Sequence, residues 1–284
     1  MSDEQLLEVK ALSFSYEEEP VLKDISLKVR RGEKIAVMGS NGAGKSTFFL
    51  NLNGVLCPDA GDIYMNGRKI GKKEVGLLRR QVGFVFQDAD SQIIASNVRA
   101  EISFGPMNLG LDRKEVIRRV DSAVSYLELE ALQQRAPHYL SGGEKKRVSI
   151  ADILAMEPEL LIFDEPMAAL DPVNAQKVEA ILGKLHRDGK TLLIATHDVD
   201  FAWRFADRIL VLCDGKLLAD GTPAEIFRQT AVMEQAHLTK PSIMVIWDAL
   251  IQKGLAAEDD KYPLTPQQAA QRIAACTNER GEKE

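Results

Sequence analysis

The sequence predicts an α/β fold: a buried parallel sheet with an antiparallel β region before it, a helical insertion within it and a small helical appendage after it. Three observations carry this. Short, almost wholly apolar runs recur at Ile35 to Met38, Val82 to Phe86, Leu160 to Phe163, Leu192 to Ala195 and Ile209 to Leu212, with helical patterns between several of them. Runs of that kind read as parallel strands buried on both faces. Residues 6–30 alternate instead, and after Gly221 the pattern turns helical.

Leu6 to Tyr16 and Ile25 to Val29, separated by a segment with the acidic turn Glu17 to Pro20, predict antiparallel strands with one wet face. The insertion covers about residues 95–157; within it, Arg113 to Leu129 has Val116, Val120, Val124 and Leu127 at helical spacing. Thr222 reads as the N-cap of a helix with Pro223 at its first position. Ser242 to Lys253 and Thr265 to Ala275 predict two more helices, the second opened by Thr265, Pro266 and Gln268. The expected division is a domain over 6–221 and an appendage over 222–284.

Composition sets the limits. The chain has 284 residues, 45% hydrophobic and 27% charged. These are globular values, and a chain of this length buries a core without staples. Its formal net charge of −6 argues against a life on nucleic acid. Apolar stretches such as Ile243 to Trp247 fall far short of the ~20 residues that span a bilayer. Met1 to Gln5 is acidic and lacks the layout of a signal peptide, so any membrane role goes through a partner. The 3 cysteines, Cys57, Cys213 and Cys276, are scattered and read as reduced thiols. The 4 histidines, His138, His186, His197 and His237, are dispersed without paired ligand spacing.

Gly39, Ser40, Asn41, Gly42, Ala43, Gly44, Lys45 and Ser46 fit GxxxxGK[ST] between a strand and the helical run Thr47 to Asn53, which Gly54 can end. Glycines there let successive N–H groups turn inward as an anion nest at a helix start. Lys45 can then reach the β- and γ-phosphates, and the Ser46 hydroxyl can hold Mg²⁺. Asp164 and Glu165 follow the run Leu160 to Phe163: the first can orient Mg²⁺ through water, and the second can polarise an attacking water. Gln87 and His197 follow two other core strands to the same sheet edge. Ser141, Gly142, Gly143 and Glu144 predict a capped helix start with exposed backbone N–H groups, a second place for phosphate.

With those motifs the chain, from about residue 6 to 228, resembles the ATP-binding-cassette (ABC) ATPases. The resemblance implies a P-loop NTPase (RecA-like) core, ATP and Mg²⁺ as cofactors, and a head-to-tail dimer of two copies or paralogues that sandwiches nucleotide. Tyr16 matches the aromatic that stacks on adenine, and Gly39 to Ser46 the Walker A loop with Thr47 after it. Gln87 matches the Q-loop glutamine that contacts Mg²⁺ and senses the partner, and Leu140 to Glu144 the family signature. Asp164 and Glu165 match the Walker B aspartate and catalytic glutamate, Ala169 to Asp171 the D-loop, and His197 the switch histidine.

Phe86 to Gln92 and the stretch Ile93 to Gly110, with Phe104-Gly-Pro106, look like the energy-coupling-factor (ECF) importers, and in particular their cobalt/nickel (CbiO-type) branch. Lys240 to Ile243 and Leu264 to Gln267 resemble that branch too, where the appendage helps dimerisation. The resemblance implies a peripheral ATPase at the cytoplasmic face of the cell membrane, with a transmembrane coupling protein and a substrate-binding membrane protein as partners and no nucleic acid. Asp88, Asp90 and Gln92 are expected near the transmembrane partner. The departures are Ala89 for Pro, Met167 for Thr, Glu144 for Gln and Ala169 for Gly. The alternatives are an ECF-type vitamin importer and a soluble ABC ATPase acting on nucleic acid or ribosomes; a P-loop kinase is argued against by residues 140–144.

Overall fold

In a computed structural model, which describes residues 4–256 and 261–281, β1 (Gln5–Tyr16) and β2 (Glu19–Arg30) pair antiparallel. Along β2, Leu22, Ile25, Leu27 and Val29 are buried while Asp24, Ser26 and Lys28 are exposed, the alternation a one-sided sheet demands. The acidic turn is tighter than its sequence suggests. Glu19 and Pro20 already pair with Tyr16 and Ser15, and Glu17 closes the turn with a left-handed backbone at φ 54°.

The chain continues through β3 (Lys34–Met38), α1 (Lys45–Leu52), β4 (Ala60–Met65), β5 (Arg68–Lys69), α2 (Val75–Gln81) and β6 (Val82–Val85). Then come α3 (Val98–Asn108), α4 (Arg113–Tyr126), α5 (Gly142–Ala155), β7 (Leu160–Asp164), α6 (Pro172–Arg187), β8 (Thr191–Ala195), α7 (Val199–Phe205) and β9 (Arg208–Cys213). The last elements are β10 (Lys216–Gly221), α8 (Pro223–Phe227), α9 (Thr230–Gln235), α10 (Ser242–Gln252) and α11 (Pro266–Gly281).

Two sheets result. One is antiparallel in the order β2-β1-β4-β5. The other runs β10-β9-β3-β8-β7-β6, parallel except where β10 turns back on β9. Every residue of β6, β7 and β8 is buried, which explains the near-continuous apolar runs. The register sets Val37 beside Ala195, Asp164 beside Ala195 and Val85 beside Phe163, so β3, β8, β7 and β6 end in one row.

Helix α4 buries Val116, Val120, Ala123 and Val124 in a core shared with α5 and Phe163. It stops short of Leu129, because Glu128 adopts φ 55°; Leu127 and Leu129 stay buried through the turn. The C-terminal helices pack against the parallel sheet. Ile243, Met244 and Trp247 of α10 and Ala269 of α11 share a core with Ala36 and Met38 of β3 and Ile209 and Val211 of β9. Helix α11 runs past the expected end at Ala275. Cys57 is exposed and Cys213 buried, both free; the Cys276 side chain lies outside those described.

Candidate nucleotide site

The loop after β3 needs its first glycine. Gly39 sits at φ 141°, and a Cβ there would lie 2.1 Å from the Leu212 carbonyl oxygen, so no other residue fits without moving β9. The loop then curls into α1, anchored by Phe48 and Phe49, both wholly buried. The Lys45 ammonium donates to the carbonyls of Gly39 at 2.7 Å and Ser40 at 3.0 Å. Burial pushes the Lys45 pKa down, opposed by the negative charges of Glu165 and Asp164.

At the end of β7, Asp164 accepts a 2.6 Å hydrogen bond from the Ser46 hydroxyl. Glu165 leaves the strand with a left-handed backbone at φ 44° while its N–H still donates to the Ala195 carbonyl at 3.1 Å. That conformation costs about 1–2 kcal/mol for a non-glycine residue and marks a side chain that is being aimed. It meets His197 beyond β8, with Nδ1 2.9 Å from Glu165 Oε2.

Gly39, Ser40, Asn41, Gln87, Glu165 and His197 line a single cavity of about 530 Å³. The convergence expected from the four strand ends is therefore present. Val199, His237, Leu238 and Thr239 complete the wall, a contribution the sequence reading missed. Ser242 beyond them is tied to the start of α7, its N–H donating to Asp200 at 2.7 Å and its hydroxyl at 2.8 Å.

Other expected site residues do not line this cavity. Tyr16 lies at the β1–β2 turn, 46% exposed, its ring edge-on to Phe14 at 5.0 Å. Ser141 caps α5 in a reciprocal box with Glu144, its N–H donating to Glu144 at 2.8 Å and its hydroxyl accepting from the Glu144 N–H at 3.3 Å. Gly143 is in close contact with Asn174, leaving no room for a Cβ. Asp171 caps α6, accepting from the N–H groups of Val173 and Asn174 at 3.0 Å each. The Gly143–Asn174 contact thus brings the signature turn and the start of α6 together, and neither lines the cavity of residues 39–41. Ala169 is left-handed at φ 58°, which accounts for the glycine that usually stands there.

After β6, Asp88 and Asp90 are exposed and Gln92 is half-buried, and the loop is fastened to α5. Gln92 donates to the Ser149 carbonyl at 2.8 Å and to Asp152 at 3.2 Å, Asp90 pairs with Lys145 at 2.6 Å, and Asp88 caps its own turn. Burial, with the nearby Glu101 charge, pushes the Asp152 pKa up to about 7; the Gln92 bond works the other way. With a folded pKa above the unfolded value, the native state binds the extra proton between the two, so stability falls as pH rises toward 7. Asp152→Asn keeps the acceptor for Gln92 and removes the charge. Its Tm is expected to exceed the parent's by several degrees at pH 8, with the gain shrinking as pH falls toward 4; an equal Tm at pH 8 refutes the burial argument.

The model of the ABC transporter family matches residues 22–168, from β2 through the loop after β3, the α5 cap and β7. The chain belongs to the ABC transporter ATPases. An ABC protein of this kind couples ATP hydrolysis to transport, and curated relatives narrow the class. The chain is 47% identical over 239 residues to the energy-coupling factor transporter ATP-binding protein EcfA of Methanothermobacter thermautotrophicus, covering 83% of this chain and 77% of that one. It is 44% identical over 251 residues to EcfA of Methanocaldococcus jannaschii, covering 87% and 90%. Among solved structures, CbiO1 of Clostridium perfringens, part of the ABC transporter complex CbiONQ, superposes with a TM-score of 0.74 at 37% identity, covering 88% of this chain and 99% of that one. A dimeric ATP-binding cassette in a post-hydrolysis state with ADP and Pi superposes with a TM-score of 0.67 at 30% identity, covering 77% and 99%. This ABC ATPase is of the ECF type, and no described helix is long and apolar enough to cross a membrane.

Proposed function

We propose that this ECF-type ATPase powers uptake of cobalt or nickel, working as a head-to-tail dimer with a second copy or paralogue at the cytoplasmic face of the cell membrane. A transmembrane coupling protein and a substrate-binding membrane protein carry the solute, which never touches this chain. The hydrolytic part rests on one observation: the Ser46–Asp164 contact and the Glu165–His197 pair converge at the strand ends, with Glu165 and His197 on the same cavity as Gly39 to Asn41.

The N–H groups of residues 39–46 cradle the β- and γ-phosphates, and Lys45 trades its carbonyl partners for phosphate oxygens. Ser46 and Asp164 offer hard oxygens, and Gln87 an amide oxygen from the adjacent strand end, a donor set that suits Mg²⁺. When bound, Mg²⁺ offsets the charge that builds on the phosphate oxygens. Glu165 accepts a proton from the attacking water, and His197 holds Glu165 in place through Nδ1 while presenting its other ring nitrogen to the terminal phosphate. Tyr16 stacks on adenine. Ser141, Gly142, Gly143 and Asp171 meet the nucleotide held by the partner copy, where the α5 N–H groups and dipole face its γ-phosphate. Hydrolysis removes that shared ligand and so shifts the dimer's populations.

The cobalt/nickel reading is supported by the resemblance of residues 86–110 to the CbiO-type branch and by the likeness to CbiO1. The test is to purify the chain with its membrane partners and measure binding of cobalt, nickel and candidate vitamins to the assembled complex. Binding of cobalt or nickel is expected. Binding of a vitamin alone overturns the solute assignment, and sedimentation with ribosomes without membrane partners overturns the importer reading.

A further inference from the structure

Helix α5 does more than present its capped first turn. Lys146 is only 2% exposed, and its ammonium donates to the carbonyls of Phe86 at 3.0 Å and Gln87 at 2.6 Å. The neighbouring Lys145–Asp90 pair and the Gln92 bonds to Ser149 and Asp152 fasten the same loop to the same helix further along. A buried ammonium is costly unless its donors are filled, so this one ties down whatever supplies the oxygens. Those oxygens belong to Gln87, a residue on the nucleotide cavity, and to the residue before it.

We propose that Lys146 is a positioning residue for ATP hydrolysis: by holding the carbonyls of Phe86 and Gln87, it makes the cavity-facing Gln87 and the Ser141–Gly143 helix start one mechanical unit. The proposal rests on the site reading above, in which Gln87 meets the nucleotide of its own chain and the helix start meets the partner's. Movement of Gln87 on the loss of γ-phosphate is then transmitted to the α5 cap without slack. Charge favours the arrangement. The carboxylates of Asp88 and Asp164 oppose the cost of burying that ammonium.

The test compares Lys146→Met, Lys146→Gln and Lys146→Arg with the parent chain, reading ATP affinity, kcat, KM and thermal melting. Methionine keeps the stem but has no donor, glutamine keeps one amide, and arginine keeps a charged fork. A loop displaced by about an ångström costs up to ~10²-fold in rate, so Lys146→Met is expected to lose at least about tenfold in kcat with KM for ATP within about twofold. Lys146→Gln falls between, and Lys146→Arg restores most of the rate. If Lys146 acts through Gln87, adding Lys146→Met to Gln87→Ala costs little beyond Gln87→Ala alone.

Parent-like kcat in Lys146→Met overturns the proposal. So do additive losses in the double variant, or a rate that merely tracks the folded fraction across the series. If methionine prevents folding, the glutamine and arginine variants and the Gln87 cycle built on Lys146→Gln carry the same outcomes. The site reading has its own control: hydrolysis by the Glu165→Gln chain at the parent rate sinks the catalytic assignment, whatever Lys146 does.

Discussion

Replacing Glu165 with glutamine is expected to slow ATP turnover by about 10²–10⁴-fold, the range a positioned general base supplies. MgATP binding should survive, and the chain should accumulate as a nucleotide-bound dimer. The substitution is nearly isosteric. It removes the acceptor that takes a proton from water but leaves an amide able to meet His197, whose Nδ1 lies 2.9 Å from the carboxylate. It also leaves the backbone alone: at φ 44° glutamine is no worse placed than glutamate, whereas a β-branched residue would add strain and blur the reading. Phosphate release and the molar mass in solution with MgATP check both halves. Hydrolysis at the parent rate would remove Glu165 from the mechanism, and a strictly monomeric ATP-bound variant would remove the sandwich.

Lys45→Ala is expected to fail one step earlier, at nucleotide binding. Hydrogen bonds to charged groups are worth about 1.5–3 kcal/mol, so losing the ammonium should weaken ATP binding by about tenfold to a hundredfold. The truncation strips the donor from the Gly39 and Ser40 carbonyls and takes the compensating charge away from Asp164 and Glu165. Titration with a fluorescent nucleotide separates this from a catalytic defect. Unchanged affinity would contradict the assigned cradle.

Most of the parallel sheet was legible because its strands are short, buried on both faces and bounded by polar groups with jobs to do; Leu160 to Phe163 followed by Asp164 and Glu165 is the clearest case. The N-terminal hairpin was legible for the opposite reason, its alternation. The β4–β5 hairpin escaped, although Asn66 and Gly67, both left-handed at φ 53° and 74°, are the short-range signal for such a turn. The cavity was legible as a row of strand ends. His237 to Thr239 were not, because nothing in their local sequence says that α10, packed through Met244 and Trp247 against β3 and β9, will bring the preceding turn onto it. Lys146 is the middle one of three consecutive basic residues, Lys145 to Arg147; its burial and its hold on the Phe86 and Gln87 carbonyls distinguish it.

The place of β3 in the middle of its sheet also has a bearing on how the protein comes into being. Its two neighbours, aligned at Ala195 and Leu210 opposite Val37, are encoded far downstream. At synthesis rates of about 5–20 residues per second, both edges of that strand wait on the order of 10–30 s before either can be zipped. The phosphate cradle is thus synthesised well before the strands that flank it, and a nascent chain spends that interval with an apolar strand unpaired on both edges.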